Sequence, residues 1–441
     1  MNKKTENKAV SPWQWVPSLY FAQGIPYVVV MSVAVILFKR MGMSNTDIAL
    51  YTSGLNLPWV IKPLWSPLVD LLKTKRWWIV VMQILVGAGL AGIALTIQGP
   101  LAFRYCLAFM WLLAFSSATH DIAADGFYML GLNEKKQAYF VGIRNTFYRF
   151  AVIFGQGILV MFAGWLEQRY AREIPETAAI PQAWSLTFYL LTILFALLFV
   201  YHYLFLPHPR RDTCTLPPQQ ASAGRVFKEF LGTFTSFFQK KHIVSALIFI
   251  LLYRFAEAQL VKITSPFLLD TPATGGLALS TAEVGFIYGT IGVIALTIGG
   301  IVGGIAMARR GLKSCLWTMT IAMNLPNIVY LYLSFARPES IGIISGCVAI
   351  EQFGYGFGFT SLTYFMMLFS NGKHQTAHYA ICTGFMALGL MLPGMISGWI
   401  EESIGYRAFF VWIMLCTIPS FWATHLVRKN LTDNHSDNSS R

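Results

Sequence analysis

The chain has 441 residues, of which 55% are hydrophobic and only 12% are Asp, Glu, Lys or Arg. A soluble domain carries about 25% charged residues, because polar side chains must cover its surface. The composition therefore excludes an ordinary soluble protein and indicates one that spans a membrane. The net charge of +13 is spread over segments beside apolar runs, so it indicates membrane topology and argues against nucleic-acid binding.

Apolar runs of membrane-spanning length recur along the whole chain. About 20 helical residues cross the hydrocarbon core of a bilayer, which is about 30 Å thick. The first run begins at Trp13 and lacks a small-residue cleavage site, so it predicts a retained span and not a removed signal peptide. Twelve helices are predicted, over residues 13–39, 46–72, 77–98, 102–131, 138–166, 183–206, 242–268, 281–307, 312–335, 340–370, 375–401 and 406–427.

The distribution of basic residues predicts the orientation of these helices. An even number of spans places both termini on one side of the membrane. The loops and adjoining helix ends on that side carry 21 Lys and Arg, against 7 on the opposite side. Because basic loops are retained in the cytoplasm, both termini are predicted to be cytoplasmic.

The two halves of the chain carry related motifs. Ser44-Asn-Thr-Asp47 and Ser280-Thr-Ala-Glu283 open the second and eighth helices as capping boxes, which satisfy free amides of the first turn. Gly164-Trp-Leu-Glu167 and Gly398-Trp-Ile-Glu401 end the fifth and eleventh helices. Nearly constant offsets indicate a parallel repeat. The predicted organisation is a six-helix bundle over 1–206, a cytoplasmic linker over 207–241, a second six-helix bundle over 242–427 and a cytoplasmic tail over 428–441.

Nine ionisable residues stand out in the interior of the predicted spans. Each costs a few kcal/mol in the membrane interior, so each is a functional candidate. They are Lys62, Asp121, Asp125, Arg144, Arg149, Arg254, Glu257, Lys262 and Glu351.

Position along the helices predicts which of these charges meet. Asp125 and Arg144 both lie about 10 Å from the short loop that joins the fourth and fifth helices, at 1.5 Å per residue. We predict that they form a gate or latch, with a simple fastener between helices as the alternative. Asp70, at the end of the second helix, is a further gate candidate. Arg254 and Glu257 are three residues apart on the seventh helix and can pair directly.

Four side chains are candidates for proton coupling: Asp121, His120, Glu257 and Glu351. Glu351 has no cation within four residues, and burial without a cation favours the neutral, protonated carboxyl. His120 and Asp125 also fit the H-x4-D signature of acyltransferases, in which His is the general base. A membrane acyltransferase is therefore an alternative, but the position of the motif deep in an apolar helix argues against an enzyme.

Basic and aromatic residues inside the spans are the candidates for substrate binding. Five cations against four acids favour an anionic substrate. Tyrosine and tryptophan rings supply faces and hydrogen-bonding groups for sugars. The predicted binding residues are Arg149, Arg254, Lys62, Lys262, Tyr20, Tyr253 and Trp59.

The cysteines, at positions 106, 214, 315, 347, 382 and 416, show no ligand spacing. They are predicted to be packing residues, and neither a disulfide, a metal site nor a cofactor is implied.

Six segments share a pattern with one known family: LYFAQGIPY (19–27), LPWVIKPLWSPLVD (57–70), HDIAADGF (120–127), LLYRFAEA (251–258), TSPFLLD (264–270) and residues 375–399. They resemble the AmpG-like muropeptide permeases, a branch of the major facilitator superfamily that also holds the acetyl-coenzyme A transporters. His120 departs from the Gln that is usual there, and Leu390 stands where Arg is common.

The resemblance implies an all-α major facilitator fold of two pseudo-symmetric six-helix bundles. It also implies a proton-coupled symporter of the bacterial inner membrane that imports anhydro-muropeptides from periplasm to cytoplasm by alternating access. Another anionic solute, such as a coenzyme A ester, a siderophore or a peptide, stays open as substrate. The expected partners are this small molecule, protons and the lipid bilayer, and we expect a monomer.

Overall fold

The computed structural model describes residues 11–209, 212, 232, 234–371 and 375–438. Most of the predicted linker, including Cys214, lies outside these residues. Within them the chain forms helices, turns and short connections, and no strand. The prediction of an all-α protein is therefore confirmed.

The described residues of the first half form six helical segments in order. Each is long enough to cross a bilayer, and α2 is interrupted after its first ten residues. The segments are α1 (Pro12–Arg40), α2 (Asn45–Gly54 and Leu57–Leu72), α3 (Lys75–Thr96), α4 (Ala102–Gly131), α5 (Glu134–Val152, then Ile153–Ile158 and Leu159–Tyr170) and α6 (Glu176–Phe205).

Among the described residues of the second half, six further segments are of membrane-spanning length: α7 (Ile243–Leu269), α8 (281–310), α9 (312–336), α10 (Ile341–Phe369), α11 (375–404) and α12 (406–438). Single glycines separate α8 from α9 and α11 from α12. Gly311 and Gly405 have φ of 71° and 76°, left-handed conformations that favour glycine and interrupt a helix. By length and composition alone, 8 stretches of the described chain qualify as membrane spans, and two of these run through Gly311 and Gly405.

The predicted caps of α2 and α8 are present. The Ser44 hydroxyl accepts from the Asp47 amide at 3.0 Å, which satisfies one free donor of the first turn. At Ser280 the complete box forms, because the Glu283 carboxylate also accepts from the Ser280 amide at 2.7 Å. The structure thus confirms the full capping box at α8 and its hydroxyl half at α2.

Contacts divide the chain into two compact units. The first unit comprises Met1–Val28, Trp65–Val152 and Ser185–Ala221, and the second comprises Val29–Leu64, Ile153–Trp184 and Ser222–Arg441. The second unit therefore includes parts of α1, α2, α5 and α6 together with the second half of the chain. The two six-helix bundles predicted from the sequence repeat have different bounds from these units, and the division into bundles stays a prediction.

Each unit has its own apolar core. Trp15 and Phe127 meet edge to face in the first unit, with ring centroids 5.1 Å apart. Phe249 and Phe365 meet in the same way in the second, at 4.9 Å. Large apolar side chains also cover the outside, as shown by Leu95, which is 68% exposed. Such a surface suits contact with lipid chains.

Candidate functional site

Asp125 and Arg144 form an ion pair within the first unit. The Arg144 Nη1 atom lies 3.3 Å from Asp125 Oδ1, so α4 and α5 meet as predicted. The Tyr20 hydroxyl, on α1, donates to the same carboxylate at 3.0 Å and accepts from Arg144 at 2.9 Å. The guanidinium also lies 5.0 Å from the ring centres of Tyr20 and Tyr128. One arginine thus holds three helices together.

This ion pair is partly open to its surroundings. The Arg144 side chain is 27% exposed and that of Asp125 is 43% exposed. A pair that is only partly buried contributes little to stability, and it can exchange partners without leaving a charge in an apolar medium. The geometry therefore suits a contact that forms and breaks.

Asp121 lies one turn from Asp125 on the same helix and accepts a hydrogen bond from the Gln23 amide of α1. Arg149 lies on α5, shortly before the π-helical segment that begins at Ile153, and is half-buried. It forms no ion pair with any residue in the described part of the chain. Arg149 is therefore a cation whose charge the described carboxylates leave unneutralised.

His120 belongs to a buried chain of hydrogen bonds that joins four helices. Its Nε2 atom lies 3.1 Å from the Gln83 amide of α3, and Gln83 in turn contacts His202 Nδ1 of α6 at 2.8 Å. His202 Nε2 lies 3.0 Å from the hydroxyl of Ser18 on α1. Because His120 is 2% exposed and Nε2 is occupied by Gln83, it is poorly placed to act as a general base on a substrate.

Arg254 and Glu257 pair on α7 within the second unit. The Arg254 Nε and Nη2 atoms lie 2.8 and 3.1 Å from the two carboxylate oxygens, a bidentate contact. Arg254 Nη2 also donates to the Tyr355 hydroxyl of α10 at 2.8 Å, and its guanidinium lies 5.0 Å from the Phe359 ring. The helix is interrupted at Tyr253 and Arg254, which places the guanidinium at the break.

Glu351 is a buried carboxyl on α10 without a cation beside it. It is 3% exposed, and no Lys or Arg of the described chain lies within ion-pair distance. Its Oε2 atom accepts from the Tyr330 hydroxyl of α9 at 3.1 Å and from the Gln352 amide at 2.9 Å. Neutral donors around a buried carboxyl allow both its charged and its protonated form, as proton exchange requires.

Lys262 is a second buried charge of α7. It is 3% exposed and forms neither an ion pair nor a hydrogen bond with any residue that the structure describes. The other predicted cation, Lys62, and the predicted aromatic Trp59 lie half-buried on α2. A buried ammonium without a fixed partner is costly, so Lys262 is positioned to gain from an anion that binds beside it.

Two further predicted residues differ in outcome: one is out of reach of a substrate, and the side chain of the other is not described. Tyr253 is fully buried in the core of the second unit, and its hydroxyl already contacts the Gly358 carbonyl at 3.1 Å and the Ser361 hydroxyl at 2.8 Å. This is the position of a packing residue, because its polar group is satisfied within the protein. The side chain of Asp70 lies outside the described part of the chain.

Sequence reasoning did not single out several polar members of these clusters, namely Gln83, His202, Gln352 and Tyr330. Gln83 and His202 are 1% and 0% exposed inside apolar helices. A neutral polar side chain inside a span also needs a hydrogen-bond partner. The presence of the two glutamines and His202 in apolar helices could therefore have marked them as members of polar clusters. Tyr330 carried no such mark, because tyrosine is common in membrane helices.

No group of His, Cys, Asp and Glu in the described residues has the arrangement of a metal site. The five described cysteines are free, at positions 106, 315, 347, 382 and 416. The structure instead brings charged side chains together inside apolar helices, as in the Asp125–Arg144 and Arg254–Glu257 pairs. Interior charges of this kind are typical of polytopic membrane transporters.

Comparison with known proteins supports this class. Residues 18–376 match the sequence profile of the Major Facilitator Superfamily, and the chain belongs to that superfamily. Among solved structures, a D-xylose-proton symporter superimposes with a TM-score of 0.69 over 94% of this chain and 96% of its own, at 13% identity. The fold is thus that of a major facilitator transporter, as predicted, and the chain is a membrane transporter and not an enzyme.

Two relatives resemble the chain over most of its length. The anhydromuropeptide permease of Escherichia coli K12 is 24% identical over 420 residues, covering 94% of this chain and 79% of the permease. A transporter named AmpG 4 from Rickettsia conorii is 25% identical over 415 residues, covering 92% and 93%. These relatives confirm the resemblance to AmpG-like permeases that the motifs indicated.

Proposed function

We propose that this protein is a proton-coupled symporter that imports anhydro-muropeptides, the sugar-peptides released from the cell wall, by alternating access. Its likeness to the anhydromuropeptide permease supports the substrate class. The superfamily supports the mechanism, in which two halves of the chain move about a site near the middle of the membrane.

The observation that carries the proposal is the set of buried charges on α7 and α10. Arg254 is neutralised by Glu257, whereas Lys262 has no described partner and Glu351 is held only by neutral donors. An arrangement that served only stability would pair these charges, because an unpaired charge in the membrane is costly. One free cation and one protonatable carboxyl together suit the joint uptake of an anion and a proton.

The proposed roles follow from these environments. Arg149, Arg254 and Lys262 hold the carboxylates of the substrate, and Lys62 contributes further positive charge. Tyr20 and Trp59 offer aromatic faces to the sugar rings. Glu351 exchanges the proton, with Asp121, Glu257 and His120 as the other candidates.

The proposed orientation places both termini in the cytoplasm and the protein in the bacterial inner membrane. The excess of basic residues on the side of the termini supports it. A cysteine at Ala273, an exposed residue of the loop between α7 and α8, should then react with an impermeant maleimide in intact cells. Protection of this cysteine until the cells are broken would reverse the orientation.

Uptake by proteoliposomes tests the proposed function. Purified protein should take up a radiolabelled anhydro-muropeptide at a saturable rate when the outside is acidic, and liposomes without protein should not. Unlabelled anhydro-muropeptide should compete with the label. Uptake of a labelled coenzyme A ester or of an unrelated peptide, with no uptake of the muropeptide, would assign the transporter to another anionic solute.

A further inference from the structure

A chain of four hydrogen-bonded side chains crosses the first unit from α4 to α1. Its members, in order, are His120, Gln83, His202 and Ser18. We propose that this chain is a reversible relay, in which the binding of a proton by His120 reverses the direction of every hydrogen bond as far as Ser18. The relay adds a proton-responsive element to the first unit, apart from Glu351 in the second. Its role in transport rests on the proposed proton coupling.

The Gln83 amide defines one direction of the relay, which we call the forward direction. The amide nitrogen lies 3.1 Å from His120 Nε2, and the amide oxygen lies 3.0 Å from His202 Nδ1. An amide nitrogen only donates and an amide oxygen only accepts. His120 Nε2 therefore accepts, and His202 Nδ1 carries a hydrogen. The other nitrogen of His202 accepts from the Ser18 hydroxyl at 3.0 Å, so both histidines are neutral with their hydrogen on Nδ1.

The reverse direction uses the same positions of the two rings. Both amide atoms of Gln83 lie near His202 Nδ1, at 2.8 and 3.0 Å, so the amide can turn over without losing that contact. Its oxygen then accepts from His120 Nε2, and its nitrogen donates to His202 Nδ1. His202 in turn donates from Nε2 to Ser18, whose hydroxyl lies 3.3 Å from the Trp15 carbonyl and can donate to it. Both histidines then carry a hydrogen on Nε2.

One open end keeps the relay from being locked in either direction. His120 Nδ1 has no hydrogen-bond partner among the residues that the structure describes, and the side chain is 2% exposed. It is left over as an unpaired donor in the forward direction and as an unpaired acceptor in the reverse direction. Because the two directions differ at this one atom and pair every nitrogen between the rings, hydrogen bonding alone does not fix the choice.

A proton on His120 makes that choice. The imidazolium carries a hydrogen on both ring nitrogens, so Nε2 can no longer accept from the Gln83 nitrogen. One proton is taken up from water in total: His120 goes from one ring hydrogen to two, and the other three members keep their numbers of hydrogens. The hydrogen of His202 changes from Nδ1 to Nε2, and Gln83 turns its amide over. Protonation within α4 is thus transmitted to Ser18 near the start of α1.

The charges around the relay favour a proton on His120 over one on His202. Burial disfavours a charge on either ring, and both are nearly or fully inaccessible. Asp121, the next residue of α4, acts on His120 and can balance an imidazolium there. Among the described residues, the titratable group that acts on His202 is His120 itself, while α1 and α3 contribute the uncharged Ser18 and Gln83. His202 therefore passes on the direction without gaining a charge.

Nitrogen-15 NMR of histidine-labelled protein in lipid nanodiscs tests the relay, because ring nitrogens with and without a hydrogen give separate signals. The chain has eight histidines, so the variants His120→Gln and His202→Gln assign the two rings. At about pH 8 we expect both to be neutral with a hydrogen on Nδ1. As the pH falls to about 4, a range that covers the protonation of histidine, His120 should gain its second hydrogen. At the same pH, His202 should change from Nδ1–H to Nε2–H and stay neutral.

Breaking the relay in the middle should uncouple the two rings. Gln83→Leu removes both amide contacts at similar size, so His202 should no longer change when His120 takes up its proton. Gln98→Leu is the matched control, since Gln98 is exposed beyond the end of α3, and it should keep the coupled change. If Gln83→Leu fails to fold, Ser18→Ala tests the far end. It removes the acceptor of the reverse direction, so His120 should take up its proton about half a pH unit to one pH unit lower.

Three results would overturn the proposal: unlike tautomers of the two histidines at about pH 8, a His202 tautomer that ignores the proton on His120, or a neutral His120 throughout the range. The measurement needs neither substrate nor transport. A coupled change in a protein that takes up no muropeptide would support the relay and contradict the proposed substrate. Muropeptide uptake with no change at His202 would contradict the relay only.

Discussion

Replacing Glu351 with glutamine is expected to abolish the accumulation of substrate against its gradient and to preserve the exchange of labelled for unlabelled substrate. Glutamine keeps the size of the side chain and can still contact Tyr330 and Gln352, but it cannot take up a proton. Concentrative uptake requires net proton movement, whereas exchange does not. Both rates can be measured in one proteoliposome preparation, with and without an imposed proton gradient.

The control is Glu339→Gln, which removes the same charge from an exposed position in the loop before α10. It should leave both rates unchanged. Glu351→Asp should retain part of the concentrative uptake, because its carboxyl still titrates. The assignment to Glu351 fails if Glu351→Gln still concentrates substrate. Asp121→Asn is measured in parallel, and concentrative uptake by that variant would exclude Asp121 as well. His120 would then be the next candidate.

Neutralising either member of the Asp125–Arg144 pair should slow transport by about tenfold, the equivalent of about 1.4 kcal/mol. Each single change leaves the partner charge without its 3.3 Å contact, so the contact that joins α4 to α5 is lost in either variant. The double variant Asp125→Asn with Arg144→Gln should therefore lose about tenfold and not about a hundredfold, because the two effects are coupled. Initial uptake rates of the four proteins measure this coupling.

Two further variants separate the pair from general damage. Tyr20→Phe removes the hydroxyl that joins both charges and should give a smaller loss than either single change, since the ion pair itself remains. Arg172→Gln removes an exposed arginine of the loop after α5 and should have no effect. Strictly additive losses in the double variant would mean that the two charges act independently.

Helix positions and two charge pairs were predictable because they follow from local rules. Hydrophobic length determines where a span begins and ends to within a few residues, as for α4, predicted over 102–131 and observed at Ala102–Gly131. Equal depth on adjacent helices predicted the contact of Asp125 with Arg144, and three-residue spacing predicted that of Arg254 with Glu257; both ion pairs are present. Both arguments use only distances along one helix or across one short loop.

The remaining contacts depend on which helix faces which, and no local rule supplies that. His120 stands out in the sequence, but its link to His202 joins helices that are 82 residues apart along the chain. Tyr253 has the residue type of a sugar-binding side chain, yet the break in α7 turns it into the core. The Gly-Trp-x-Glu repeat was visible as a repeat, whereas the residues that its glutamates contact, Asn45 and Thr281, required the packed helices.

Substrate-driven proton entry tests the central claim most directly. Proteoliposomes that enclose a pH-sensitive dye, with no gradient imposed, receive an anhydro-muropeptide on the outside. Coupled import predicts that the interior acidifies as the substrate enters, and that Glu351→Gln removes this signal. Uptake of the muropeptide with no acidification of the interior would contradict a proton symporter.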